Sequence, residues 1–253
     1  MRATPLEEAK VLHPATVLVV GASKMGKTVA AVHLVTEGIL HPPPTKILVI
    51  YEEDEAIYDR LAQIAPTQKV KGVPADLTFE SFSKTERNLL LLDDQADVAK
   101  TSNILTRIFT IGSHKRNLTL IMLTQNLYAG TQKSTTQRRN SDYIVFMKSP
   151  ASLDTVKTFA KNSFCEQKMK EFKKLVKKHL STPYSALLVD NTSLCHPNER
   201  CFHGKATLFD RPTKLRRLRE NFEVIKREIM AEDTHGIVDH NLTTVSTFLQ
   251  TLQ

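Results

Sequence analysis

Val17-Leu18-Val19-Val20-Gly21-Ala22-Ser23-Lys24-Met25-Gly26-Lys27-Thr28 runs a β-branched strand directly into the pattern GxxxxGK[ST]. That order of residues describes a loop built to hold phosphate. Thr16 to Val20 reads as a buried strand and Thr28 to Thr36 (TVAAVHLVT) as a helix, the context the loop requires. Backbone N–H groups from Ala22 to Lys27 then form an anion-binding nest, and the helix adds the positive end of its dipole. Lys27 is placed to reach β and γ phosphates, and the Thr28 hydroxyl to hold Mg²⁺. Gly21 and Gly26 are expected where the turn and the approach of phosphate leave no room for a Cβ. The whole run Gly21, Ala22, Ser23, Lys24, Met25, Gly26, Lys27 and Thr28 is therefore the expected nucleotide-binding segment, with ATP and Mg²⁺ as its ligands.

Composition bounds the rest. A chain of 253 residues with 41% hydrophobic content can bury one sizeable core. The formal charge of +8 favours a polyanionic partner, nucleic acid among them, without bearing on fold. No apolar run approaches the length of a membrane span, and the opening MRATPLEEAK lacks a signal peptide's apolar core. The expectation is a soluble intracellular protein with no membrane partner. Three cysteines do not build a disulfide framework. Cys195-His196 and Cys201-x-His203 cluster at a spacing zinc tolerates, but no CxxC pair supports a site, and a polar hairpin tip explains them as well.

Along the chain, strands and helices alternate. His41-Pro-Pro-Pro44 stops regular structure before a second buried strand, Lys46 to Tyr51, which completes a βαβ unit. Glu52 to Leu61 reads as an acidic helix start, and Pro66 to Glu80 as a surface connection with a short strand near Leu77 to Phe79. Asn88-Leu-Leu-Leu-Leu92 before Asp93-Asp94 suits a central parallel strand buried on both faces. Ser102 opens a helix with Ile104, Leu105, Ile108, Phe109 and Ile111 on one face. Leu118 to Leu123 and Tyr143 to Met147 are further strands. Glu166 to Leu180 is an amphipathic helix whose lysines form either a solvated face or a DNA-contacting one. Tyr184 to Val189 and Ala206 to Phe209 read as paired strands, and Lys214 to Glu232 as a basic helix. The expected fold is α/β, with a central, mostly parallel sheet flanked by helices. Its domain spans 1–210, and a basic helical extension spans 211–253.

Asp93 and Asp94 close a buried strand, at the edge where open parallel sheets bind ligands. The first acid can hold Mg²⁺ through water and the second can deprotonate an attacking water. An Asp-Asp turn is the plain alternative. Gln125 ends the next strand, Leu118 to Leu123, where its amide can sense the γ-phosphate, with Asn126 as its substitute; loop capping is the plain alternative. A strand inserted between the phosphate-loop strand and the acid-pair strand marks the RecA-like, additional-strand ATPases. Leu118 to Leu123 is the candidate for it.

The phosphate loop, LLLLDD, Phe109-Thr-Ile-Gly-Ser-His-Lys-Arg-Asn117, the TQN ending and Asn140-Ser-Asp-Tyr143-Ile-Val-Phe before Lys148-Ser-Pro occur in one order. That order resembles viral genome-packaging ATPases of the FtsK/HerA superfamily, of the poxvirus and polinton (Maverick) type, over roughly residues 15 to 210. The resemblance implies a P-loop NTPase that assembles as a homo-oligomeric ring. It also implies ATP-driven movement of double-stranded DNA into a capsid, hence a capsid or portal partner. By the same likeness Lys27, Asp94 and Gln125 are catalytic, Thr28 and Asp93 hold the metal, and an arginine from Arg138, Arg139 or Arg116, all read as near the carboxyl edges of the strands, is the candidate finger; an ordinary surface or DNA-facing charge is the plain alternative. The sequence departs from many superfamily members in having Asp-Asp for Asp-Glu. It has Thr135 where polinton-type relatives carry an arginine. Lys100, Lys115 and Lys133, read as following strands or helix ends on the nucleotide-binding side, either face DNA in a pore or belong to solvated surface. A nucleoside or nucleotide kinase, or another DNA-dependent ATPase, is the alternative. A kinase also needs a base-recognition lid that the sequence does not display, and a GTP switch needs an NKxD-type motif.

Overall fold

The computed structural model describes residues 3–95, 102–125, 127–128, 139–192 and 200–205. Its strands are β1 (Ala3–Pro5), β2 (Val11–Leu12), β3 (Thr16–Val20), β4 (Leu40–His41), β5 (Lys46–Tyr51), β6 (Thr67–Lys71), β7 (Asn88–Leu92), β8 (Leu118–Thr124), β9 (Tyr143–Met147), β10 (Ser185–Asp190) and β11 (Cys201–Lys205). All but β2 and β4, which pair with each other, join one sheet in the order β1-β11-β10-β9-β3-β8-β7-β5-β6. The block from β9 to β6 is parallel throughout. β10 runs against both its neighbours, and β1 is parallel to β11.

The middle of this sheet is apolar because it is covered on both faces. Every residue of β3, β7, β8 and β9 is buried, as unbroken runs such as Leu89-Leu90-Leu91-Leu92 require. Four helices supply the cover. α1 (Lys27–Thr36) buries Ala30, Ala31, Val32, Leu34 and Val35, which occupy most of its circumference rather than one stripe. α2 (Asn103–Arg107) is opened by the Ser102 side chain, which accepts from the Leu105 N–H, and runs on through a π-helical turn, Ile108–Gly112. α3 (Pro150–Ser163) docks on β9 through Phe159 against Phe146, and α4 (Glu166–His179) packs on α3 and β10, with Phe172 against Phe159 and Phe164; these rings lie 5.0–6.0 Å apart in the four contacts that link them.

Several elements differ from the sequence reading. The extra strand after β5 is Thr67–Lys71, not Leu77 to Phe79; it is polar because it is an edge strand paired on one side only. Phe79–Ser81 is a single 3-10 turn, and the acidic helix start becomes a 3-10 segment over Ala56–Gln63. The strand paired with β10 is Cys201–Lys205, and residues 206–209 lie outside the described set. Ile111 does not share the buried face of α2: the π turn shifts the register, leaving it 38% exposed while Ile108 and Phe109 are buried. The basic extension at 211–253 also lies outside the described residues. Among the described residues no helix is long and apolar enough to cross a membrane.

Candidate nucleotide-binding site

Parallel pairing fixes where the chemistry gathers. Val20 registers with Thr124, Leu92 with Met122, and Ile50 with Leu92, so the residues that follow β3, β8, β7 and β5 emerge at one edge. β8 lies between β3 and β7, as the additional-strand arrangement requires. The carboxyl edge therefore collects Gly21 to Thr28, Gln125, Asp93-Asp94 and the acidic run Glu52 to Glu55.

The loop is shaped by two different demands on glycine. Gly26 sits at φ 81° and caps α1 without a side chain, a left-handed conformation that costs glycine little. Gly21, by contrast, has no positive φ. A Cβ there would fall 2.7 Å from Met147 Cβ, so the tight neighbour is the end of β9, a packing reason not foreseen in the sequence. Lys24 also takes a positive φ, 61°. The Gly21 N–H donates to the Thr124 carbonyl at 3.1 Å, and the Gln125 amide donates to Ser23 Oγ at 3.2 Å, stitching the end of β8 to the loop on both sides.

Lys27 is 8% exposed and its Nζ donates to the Ala22 carbonyl at 3.1 Å, curled inside its own loop. Thr28 Oγ1 donates to Asp93 Oδ2 at 2.8 Å and stands 3.3 Å from Glu55 Oε1. Tyr58, fully buried, donates to the same Asp93 oxygen at 2.7 Å. Burial and the hydrogen bond to the Asp93 carboxylate push the Tyr58 hydroxyl pKa far up, so it remains a donor. The Glu55 carboxyl, at the mouth of the site on an exposed residue, is raised by partial burial and by the negative charge of Asp93. Asp94 is exposed, with φ 51°, and its charge is felt at both Glu55 and Tyr58. Glu55 and Tyr58 were not singled out in the sequence. The acidic run that closes β5, beside the acid-pair strand, was the available signal for Glu55.

The donor set fits a hard divalent cation. One hydroxyl and two carboxylates converge on Thr28, all oxygen, and Mg²⁺ takes one or two carboxylates with phosphate oxygens completing its shell. Among the described residues no three His, Cys, Asp or Glu side chains gather at a metal site. Cys201 is buried in the core and the His203 ring stacks on His179 at 4.0 Å; Cys195 and His196 lie outside the described residues.

Arg116 and Arg139 are not at the carboxyl edge where the sequence reading put them. Arg116 precedes β8, and its carbonyl accepts from Asn88 Nδ2 at the start of β7, so it belongs to the amino edge. Its guanidinium is engaged by Glu80 at 3.2 Å and lies over the Phe79 ring at 4.7 Å. Arg139 is exposed and borders a cavity with Pro14 and Ala15, which lead into β3, so it too is at the amino edge. The five residues of β3 put about 16 Å between the two edges, too far for either to serve its own loop. Arg138, Asn126, Lys100 and Lys133 lie outside the described residues, and Lys115, exposed before β8, is also on the amino edge rather than the nucleotide side.

Strand order and loop together define a P-loop NTPase fold of the additional-strand kind. No family model matches the sequence, and no curated protein does. Solved structures similar to this chain include the genome packaging NTPase B204 from Sulfolobus turreted icosahedral virus 2 in complex with ATP-gammaS. It is 15% identical over 76% of this chain and 97% of that one, with a TM-score of 0.46. B204, the DNA-packaging ATPase from Sulfolobus turreted icosahedral virus, is 14% identical over 76% and 98%, with a TM-score of 0.48. ATPases 2 and 3 of Thermomonospora curvata EccC are 18% identical over 55% of this chain and 30% of that one, with a TM-score of 0.37. The fold class stands on the strand order and loop geometry of this chain, independently of those overlaps.

Proposed function

We propose that this chain is an ATPase that uses hydrolysis to drive double-stranded DNA into a viral capsid, working as a homo-oligomeric ring. The observation that carries the ATPase reading is the junction of β3, β8 and β7: Thr28 bonded to Asp93, and Gln125 bonded to Ser23, around one phosphate loop. The packaging reading rests on the order of motifs from the loop to the Lys148-Ser-Pro run, and the net charge of +8 favours a polyanion.

In this reading the loop N–H groups and the α1 dipole bind the β and γ phosphates, and Lys27 turns from the Ala22 carbonyl to phosphate oxygen. Thr28 and Asp93 would hold Mg²⁺, which would supply neutralisation of charge on the phosphoryl oxygens. Asp94 accepts the proton of the attacking water, and Gln125 orients that water while its amide reads the state of the loop at Ser23. Arg139 stands at the amino edge, so in this reading it serves the phosphate of a neighbouring subunit rather than that of its own loop. A kinase would share the loop but not the coupling to duplex.

Displacement of the third strand from a DNA triplex tests the motor directly. The full chain with ATP should strip the strand, and should fail with a non-hydrolysed analogue or with Lys27→Ala. Vigorous ATP hydrolysis without displacement at any protein concentration would overturn the motor reading.

A further inference from the structure

We infer that Glu55, from the acidic run after β5, is a second carboxylate ligand of the nucleotide-bound cation, beside Thr28. The inference rests on the nucleotide-site reading above and adds a residue to it.

The geometry begins with the single proton of the Thr28 hydroxyl. Two carboxylate oxygens stand near it, Asp93 Oδ2 at 2.8 Å and Glu55 Oε1 at 3.3 Å. A hydroxyl donates once, so the shorter contact takes the proton and the lone pairs of Thr28 stay available to a cation. Asp93 Oδ2 meanwhile accepts a second O–H bond, from Tyr58 at 2.7 Å. That oxygen is committed to holding Thr28 and Tyr58, and Asp93 is buried at the end of β7. Glu55 carries no such commitment at the oxygen that faces Thr28: its one contact there is the long one.

Spacing agrees. Octahedral Mg²⁺ holds oxygen at about 2.1 Å, so two neighbouring ligands stand about 3 Å apart. The 3.3 Å from Thr28 Oγ1 to Glu55 Oε1 matches such an edge, and a side chain rooted on an exposed residue can close the remaining few tenths of an ångström. Charge agrees as well. Glu55 feels the charge of Asp93 and Asp94 at this end of the sheet, where Lys27 is the one lysine buried among the described residues, and a triphosphate adds more negative charge. Without a cation Glu55 repels the nucleotide; with one it attracts the complex.

The two roles of Glu55 give opposite signs, which makes the test sharp. Binding of a fluorescent, non-hydrolysed ATP analogue to the full chain is measured with EDTA and across a Mg²⁺ titration, for the wild type, Glu55→Gln and Glu53→Gln. Glu53 is an exposed carboxylate in the same run and controls for charge alone. Glu55→Gln should need roughly 10- to 100-fold more Mg²⁺ for half-maximal enhancement, the range lost when a cation site loses a supporting group. In EDTA it should bind the analogue as well as the wild type or better. Glu53→Gln should keep the wild-type Mg²⁺ requirement. A Glu55→Gln chain with an unchanged Mg²⁺ requirement, or two variants that shift equally, overturns the inference while leaving the nucleotide site standing. A wild type that binds no analogue under any condition overturns both.

Discussion

Thr28 and Asp93, separated by 65 positions in sequence, meet at 2.8 Å, the hydroxyl at the start of α1 donating to the carboxylate at the end of β7. The contact exists because β8 slides between β3 and β7 and brings both strand ends to one edge in register. The two acids that follow β7 are therefore not equivalent. Asp93 is buried and doubly hydrogen-bonded, and Asp94 is exposed on a left-handed backbone.

That difference predicts a division of labour. Asp93→Asn should weaken Mg²⁺-dependent nucleotide binding. Asp94→Asn should still bind nucleotide while losing turnover, because its task arises in the transition state. Equilibrium binding and single-turnover hydrolysis separate the two, and identical phenotypes would remove the distinction.

Gly21→Ala places a Cβ 2.7 Å from Met147 Cβ at a buried strand junction. Overpacking of this kind should cost about 1–3 kcal/mol in urea unfolding. Since the first atom met is Cβ, adding Met147→Ala should give no rescue. A neutral Gly21→Ala would show that β9 yields easily at this point.

His13 supplies a pH dependence at the amino edge. Its Nδ1 lies 2.7 Å from Thr119 Oγ1 and its Nε2 3.1 Å from Asn117 Oδ1, and burial lowers its pKa below the ordinary 6.5. The unfolded chain then binds the proton first. Stability is unaffected above pH 6.5 and is lost as the pH falls from there to the folded pKa. Unfolding midpoints between pH 8 and pH 5 should decline over that window, and His13→Gln should flatten the decline. An unchanged slope in the variant would assign the effect elsewhere.

The central strands were legible because burial on both faces leaves a run of apolar residues that nothing else explains, as in Leu89 to Leu92. β6 was not, since Thr67-Gln-Lys-Val-Lys71 pairs on one side and carries an edge strand's polar residues. The phosphate loop was readable from local spacing. Glu55 and Tyr58 were not, because their contacts with Thr28 and Asp93 arise only when β5 is laid beside β7. Arg116 was misplaced for a related reason: a basic residue near a strand looks the same in sequence at either end, and only the parallel register tells the edges apart.

Arg139 and Arg116 should separate in a mixing experiment. Arg116 is held by Glu80 and Phe79, whereas Arg139 is exposed. Lys27→Ala subunits, which keep their arginines, mixed with Arg139→Ala subunits should recover hydrolysis that neither shows alone. A finger supplied in trans is worth roughly 10³ to 10⁵ in rate. Mixing with Arg116→Ala should restore nothing, since that variant loses a packed ion pair rather than a donor to phosphate. Equal recovery from both, or none from Arg139→Ala, would contradict this assignment.

The steady-state rate of ATP hydrolysis, with and without double-stranded DNA, for the full chain and for Lys27→Ala, bears most directly on the proposal that this loop powers work on a duplex. The wild type should hydrolyse ATP and be stimulated by duplex of any sequence, and Lys27→Ala should be inactive in both conditions. Wild-type rates in Lys27→Ala, or hydrolysis indifferent to duplex DNA, would contradict it.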